Sequence, residues 1–177
     1  MPQNLELKAR IPSIGQAAHV ARRLHARAKG ILHQRDIYYK IPRGRLKLRM
    51  INRRSAELIF YSRPNKKGSR YSKYAILPVA DMALVHSLCT KAFGTMVEVE
   101  KQRRLFLYKN SRIHVDDVRG LGTFIEFEVL VLHGKRQAVQ LMANLSEEFQ
   151  IHRRAVVSGS YSDMLMKKKE ARIRRRI

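Results

Sequence analysis

The sequence predicts a mainly antiparallel β domain with flanking helices, an α+β chain built around one sheet. Two observations carry this expectation. Charged residues stand at every second position in segment after segment: Glu6-x-Lys8-x-Arg10, Arg45-x-Lys47-x-Arg49, Lys101-x-Arg103, Arg112-x-His114-x-Asp116 and Glu126-x-Glu128. Apolar residues such as Leu5, Leu7, Ala9, Leu46, Leu48, Ile113, Val115 and Phe127 fill the places between them, which is the two-residue period of strands with unlike faces. The links between several of these runs are short and rich in turn formers, which suits antiparallel hairpins better than crossover helices.

The elements follow in order. Residues 4–11 read as a strand, which Pro12-Ser13 interrupts; Ser13 offers a helix cap, and Ala17, Val20, Ala21, Leu24 and Ala28 recur at helical spacing until Gly30 closes the segment. Strands are expected at 32–41, 45–51, 57–63 and 70–77, separated by the turn signals Pro42-Arg43-Gly44, Asn52-Arg53-Arg54-Ser55 and Pro64-Asn65-Lys66-Lys67-Gly68. Asp81 caps a second helix with Leu84, Val85, Leu88 and Ala92 as its apolar residues, and Gly94 ends it. Strands at 96–108, 111–118 and 123–132 precede a third helix over 135–149, whose stripe is Val139, Met142, Leu145 and Phe149. Tyr161-Ser162-Asp163 starts a short last helix.

A chain of 177 residues that is 45% hydrophobic supports one domain with a proper core, expected at residues 1–166. Residues 167–177 form a basic C-terminal tail with seven basic residues and one acid, expected as a frayed, solvated end. The domain itself therefore carries most of the formal charge of +23, and a surplus of that size predicts an anionic partner without naming it. The single Cys89 lies in an apolar stretch, reads as a core residue and excludes an internal disulfide, which fits the cytoplasm. The first residues enter a strand pattern with no apolar signal region, and no apolar run reaches the roughly 18 residues of a membrane span.

Which face of the strands points inward is open on periodicity alone. An ordinary half-buried sheet would put the leucines inside and the charges in water. Against that stand the carboxylates Glu6, Asp116, Glu126 and Glu128, gathered at strand positions that neighbours bring together, and helices able to cover an apolar outer side. If the sheet closes into a barrel of about eight strands, its charged face lines a lumen just wide enough for side chains or one small ligand.

The ordered motifs Asn4-Leu5-Glu6-Leu7-Lys8-Ala9-Arg10, Gln34-Arg35-Asp36-Ile37-Tyr38-Tyr39 and Gly44-Arg45-Leu46-Lys47-Leu48-Arg49 recur in a known family. So do Glu57 to Pro64, Ser72-Lys73-Tyr74, Lys101-Gln102-Arg103, Arg112-Ile113-His114-Val115-Asp116 and Leu121 to Glu128. Over nearly the whole domain the chain resembles the CYTH superfamily, the triphosphate tunnel metalloenzymes, and most closely the branch of class IV adenylyl cyclases and thiamine triphosphatases. The resemblance implies a closed eight-stranded tunnel β-barrel with the charged face inside. It departs at the family's opening Glu-x-Glu-x-Lys, where Asn4 replaces the first Glu; Asn offers a carbonyl oxygen but no charge, which leaves the number of metals open.

The proposed inner face supplies Lys8, Arg45, Lys47, Arg49, Arg63, Lys101, Arg103 and Arg112 as phosphate-binding cations, with Lys8, Lys101 and Arg103 as the catalytic set. Glu6, Asp116, Glu126 and Glu128 are hard oxygen donors that suit Mg2+ or Mn2+. Tyr74 and Tyr61 stack on or hydrogen-bond to a ligand or simply pack, and His114 binds phosphate or fixes Asp116. Asn65-Lys66-Lys67-Gly68-Ser69 lacks the leading Gly of a phosphate loop and reads as a turn; neither a soft-metal site nor a Ser/His/Asp arrangement is present.

The expected function is metal-dependent processing of a triphosphate (tripolyphosphate, ATP or thiamine triphosphate), by hydrolysis or by cyclisation of ATP to cyclic AMP, with hydrolysis favoured because it needs only phosphate binding and water. The alternative is an RNA- or polyphosphate-binding protein that uses the outer basic surface and tail. A homodimer and a weak nucleic-acid contact through the tail stay open as partners.

Overall fold

The computed structural model describes residues 2–132 and 134–174. Among these, eight strands and four helices occur in the order β1 (Gln3–Arg10), α1 (Ile14–Arg23), β2 (Arg27–Tyr39), β3 (Arg45–Ile51), β4 (Ser55–Ser62), β5 (Arg70–Val79), α2 (Met82–Phe93), β6 (Thr95–Tyr108), β7 (Ser111–Val118), β8 (Gly122–Leu130), α3 (Lys135–Glu148) and α4 (Tyr161–Arg174). The strands close into a barrel in the order β1-β5-β4-β3-β2-β6-β7-β8, every pair antiparallel. Two meanders, β2 to β5 and β6 to β8, join along β2 and β6, and β1 closes the seam between β5 and β8. Closure gives every strand a neighbour on both sides and fixes which residues share the lumen.

The alternation is resolved in favour of charges inside. Leu5, Leu7, Ala9, Ile113, Val115, Ile125, Phe127 and Val129 point outward into a core cluster with Ala17, Ala18 and Ala21 of α1 and Ala138, Leu141, Met142 and Leu145 of α3. The small alanines of α1 let that helix lie close to the barrel wall. A second outer cluster packs Ile37, Tyr39, Leu48 and Ala56 under Cys89 of α2; burial there also raises the thiol's pKa, so Cys89 is a core residue as its surroundings suggested. The apolar area that stabilises the fold thus lies between the barrel and its helices.

Local chemistry sets the ends of the elements. Ser13 accepts from the Gln16 amide, and Asp81 accepts from the Leu84 amide at 2.9 Å, so both caps act as expected. Gly44 ends the turn between β2 and β3 at φ +76, and a Cβ there would stand 2.7 Å from the Phe60 ring, so only glycine fits.

Several boundaries differ from the sequence reading. Helix α1 stops at Arg23, where Leu24 caps it and His25 adopts φ +56, so Gly30 does not end a helix. Gly30, at φ +94, instead lies where the register of β2 against β6 shifts, and β2 begins at Arg27. The stripe expected on α2 is also displaced: Cys89 is buried, whereas Leu84 and Leu88 are exposed. On α3, Val139 is exposed and Ala138 and Leu141 take the buried face. The last helix continues through the basic run to Arg174, so residues 167–174 are helical and exposed rather than frayed, and the expected boundary after residue 166 falls inside α4; residues 175–177 of the tail lie outside the described residues.

Candidate active site

Strand register builds the site in rows. On β1, β8 and β7, Glu6 stands opposite Glu128, and Glu128 opposite Arg112; one step along, Lys8 faces Glu126, and Glu126 faces His114. All of these are lumen positions, so the two Glu-rich strands place three carboxylates on one wall of the barrel. In the barrel order, β2 and β3 lie across from β1 and β8. Gln34, Asp36 and Tyr38 of β2, Lys47 and Arg49 of β3 and Lys101 and Arg103 of β6 line that side. The lumen encloses about 300 Å³ and is lined by seven Lys and Arg side chains against five carboxylates, so it carries an excess of positive charge.

Asp36 organises the cationic wall. Its carboxylate accepts from Lys47 Nζ at 3.0 Å, Lys101 Nζ at 2.9 Å, and Arg49 Nε and Nη2 at 2.7 and 2.9 Å. Burial raises its pKa, yet Arg49, Lys101 and Lys47 outweigh burial and hold the group well below the ordinary carboxylate range. The same burial works against the lysines. It lowers Lys47 to about 7, helped by the nearby Arg49 and opposed by Asp36, and lowers Lys101 to about 8. One anion is too little for three cations, and this wall is prepared for a further negative guest.

A second cluster centres on Arg103. Its guanidinium grips Asp116 through Nε and Nη2 at 2.7 and 2.6 Å and reaches Glu126 Oε2 at 3.1 Å. Tyr161, the first residue of α4, inserts into the barrel end, where its hydroxyl donates to Asp116 at 2.9 Å and its ring lies 3.7 Å from Lys8 Nζ. Lys8 in turn pairs with Glu126 Oε1 at 3.2 Å. Burial lowers the Lys8 pKa; Glu126, which burial alone would raise, is held well below its ordinary value by Lys8, His114 and Arg103.

Glu6 is the carboxylate with too few partners. Burial, with Glu128 and Glu126 alongside, pushes its pKa up to about 7 against the opposing Arg63 and Lys8, and its single ion pair, to Arg63 Nε, is long at 3.4 Å. Three buried polar atoms on this side lack a hydrogen-bond partner among the described residues: Asn4 Oδ1 and His114 Nδ1, which can ligate a cation, and Arg63 Nη1, which cannot. Converging carboxylates, a raised Glu6 and unpartnered donor atoms are the surroundings that a cation relieves.

The expected site residues sort clearly. Glu6, Lys8, Lys47, Arg49, Arg63, Tyr74, Lys101, Arg103, Arg112, Glu126 and Glu128 all line the lumen. Arg45 stands at a mouth, tied to Asp163 of α4 at 2.8 Å and to Asn65 at 2.7 Å. Asp116 is fully buried behind Arg103 with both oxygens engaged, apart from the three glutamates. Asp36 escaped the sequence reading although it shares the inward parity of Gln34 and Tyr38 in one of the quoted motifs. Arg70 escaped as well: fully buried, it donates to the carbonyls of Lys66, Val157 and Gly159 and straps the segment before α4 to the barrel.

A model of the CYTH domain matches residues 2–160. The chain belongs to the CYTH domain family. Solved structures share its fold. The PH1012 protein from Pyrococcus horikoshii superposes with a TM-score of 0.82 at 19% identity, over 90% of this chain and 98% of that one. A proposed adenylate cyclase from Vibrio parahaemolyticus gives 0.77 at 17% identity, over 92% and 97% of the two chains. A proposed adenylyl cyclase from Hippeastrum with a dominant triphosphatase activity gives 0.63 at 12% identity, over 94% and 96%. No curated protein matches the sequence. CYTH membership accords with the closed barrel and the inward charges, and among the described residues no helix is long and apolar enough to cross a membrane.

Proposed function

We propose that this CYTH protein is a divalent-metal-dependent triphosphatase that hydrolyses the terminal anhydride of a small triphosphate held inside the barrel. One observation carries the reading: three carboxylates on the wall formed by β1 and β8 face a cationic wall organised by Asp36, within a lumen of about 300 Å³. That volume stands at the small end of ligand sites, which favours a compact phosphate chain over a bulky organic group.

Lys47, Arg49, Lys101 and Arg103 would grip phosphate oxygens, with Arg63 and Arg112 extending the clamp. Glu6, Glu126 and Glu128 would hold the dication, Mg2+ or Mn2+, and their hard oxygens, mutual repulsion and raised Glu6 fit that role. Asp116 would serve by fixing Arg103, and Arg45 by holding the mouth against α4. When bound, the metal supplies charge neutralisation and polarisation of phosphate and water. In the reaction a water oxygen bonds to the terminal phosphorus, the bridging P–O bond breaks, and the remaining diphosphate leaves with the electron pair. Lys101 and Arg103 stabilise the charge that develops on the transferred group. Lys8 Nζ lies 3.2 Å from Glu126 Oε1, and its lowered pKa would bring proton exchange with the water closer to neutrality. The lone, buried Cys89 suits a reducing cytoplasm.

Phosphate release from tripolyphosphate, ATP and thiamine triphosphate with Mg2+ or Mn2+, with cyclic AMP measured in parallel, tests the proposal. Phosphate release that stops with chelator supports it. Cyclic AMP formed without phosphate release would assign the cyclase reaction instead, and binding with no turnover would reject an enzyme.

A further inference from the structure

The row that runs Lys8, Glu126, His114 ends on a nitrogen that the chemistry above does not use. His114 is 4% exposed, and its Nδ1 has no hydrogen-bond partner among the described residues. It stands 3.8 Å from Glu126 Oε2 and 3.7 Å from Glu128 Oε1, too far for a hydrogen bond. Buried and without a hydrogen bond, the nitrogen is aimed at two carboxylates that converge on it, an incomplete set of donor atoms. One donor atom from each of His114, Glu126 and Glu128 lies within 4.8 Å of the others, a spacing that a single dication bridges with small side-chain adjustments.

The remaining partners leave room for such an ion. Lys8 occupies Glu126 Oε1, and Arg103 uses one lone pair of Glu126 Oε2; Arg112 lies against Glu128 Oε2, while Glu128 Oε1 lies on the side of His114. On the β1 side of the same wall, Glu6 stands opposite Glu128 as the third carboxylate, while the buried Asn4 brings no charge. Resting on the metal-dependent reading above, we propose that His114 Nδ1 is a direct ligand of the dication held by Glu126 and Glu128, so that the site prefers a first-row transition ion such as Mn2+ or Co2+ over Mg2+. Mg2+ demands oxygen donors and gains little from imidazole, whereas affinity for nitrogen rises from Mn2+ to Co2+.

The full chain, free of phosphate and titrated with Mg2+, Mn2+ or Co2+ alone, tests this by calorimetry, together with pulsed electron paramagnetic resonance of the Mn2+ form. The wild type is expected to show coupling to a directly bound imidazole nitrogen, which changes on 15N-labelling of histidine, and to bind Mn2+ more tightly than Mg2+. In His114→Gln the coupling should vanish and Mn2+ affinity should fall by roughly tenfold or more, with a smaller loss for Mg2+. The isotope experiment needs no variant, so a missing coupling overturns the inference even if His114→Gln folds poorly, while loss of the coupling in a folded His114→Gln assigns it to this one of the seven histidines. Absence of nitrogen coupling in the wild type, or equal losses for Mg2+ and Mn2+ in a folded variant, overturns the inference. Mg2+-supported tripolyphosphate hydrolysis alongside that negative result would leave the proposed function standing, whereas ion binding through His114 without hydrolysis would do the reverse.

Discussion

Asp36 and Lys101 form an ion pair of 2.9 Å in which the two side chains are each 1% exposed. Two such groups from β2 and β6 are expensive to desolvate, and the pair persists because the same carboxylate also serves Lys47 and Arg49. Asp36 is the hinge of the cationic wall.

Replacement by Asp36→Asn leaves three cations facing each other without their anion. The variant is expected to lose about 3–5 kcal/mol of stability, the usual cost of stranding a buried charge. Tripolyphosphate should raise its melting temperature by more than it raises that of the wild type, because the ligand replaces the missing negative charge. Thermal unfolding with and without tripolyphosphate measures both; equal ligand shifts would show that the ligand does not take the place of the missing carboxylate.

The buried lysines set the pH dependence of binding. Burial lowers the Lys47 pKa to about 7, so in the free tunnel its ammonium loses its proton as pH rises past that value. A bound polyanion favours the charged form and raises the pKa, so binding takes up a proton above neutrality. Affinity for tripolyphosphate is therefore full below about pH 7 and falls on going to pH 9, by at most about tenfold per pH unit for each coupled proton. Calorimetry in buffers of different ionisation enthalpy reads the uptake, and Lys47→Arg, which stays charged, should flatten the slope.

Tyr161 separates packing from hydrogen bonding at the end of the barrel that α4 enters. Its ring lies 5.0 Å from Phe124, and its hydroxyl donates to Asp116. Tyr161→Phe keeps the ring and should cost about 1.5–3 kcal/mol through the lost charged hydrogen bond. Tyr161→Ala also removes the ring and should cost about 3–5 kcal/mol. Urea unfolding compares the two; equal losses would mean that the ring contributes nothing.

Strand existence was legible because side-chain alternation has a period of two on any sheet, and 45–51 and 111–118 coincide with β3 and β7 residue for residue. The inward direction of the charges was not legible from alternation, since a strand with two unlike faces does not say which faces water; the resemblance supplied it. The end of α1 was misread because Ala28 and Gly30 mimic a helix and its C-terminal glycine, while the real stop depends on His25 adopting a left-handed backbone. Asp36 stayed hidden for another reason. It stands opposite Arg49 on β3, and its other partners, Lys47 and Lys101, reach it only once β2, β3 and β6 are registered in space. Arg45 and Asp116 kept the right face but acquired partners, Asp163 and Tyr161, from a helix whose docking no local pattern announces.

The central claim is that the charged lumen receives a triphosphate and cleaves it. Phosphorus NMR of tripolyphosphate incubated with the protein and Mg2+ tests it most directly, because it reads bound ligand and products in one sample. The account predicts that the tripolyphosphate signals give way to pyrophosphate and phosphate in equal amounts, that chelator stops the conversion, and that Arg103→Ala slows it by roughly a hundredfold or more. Tripolyphosphate that persists unchanged, with line widths indifferent to protein concentration, would contradict it.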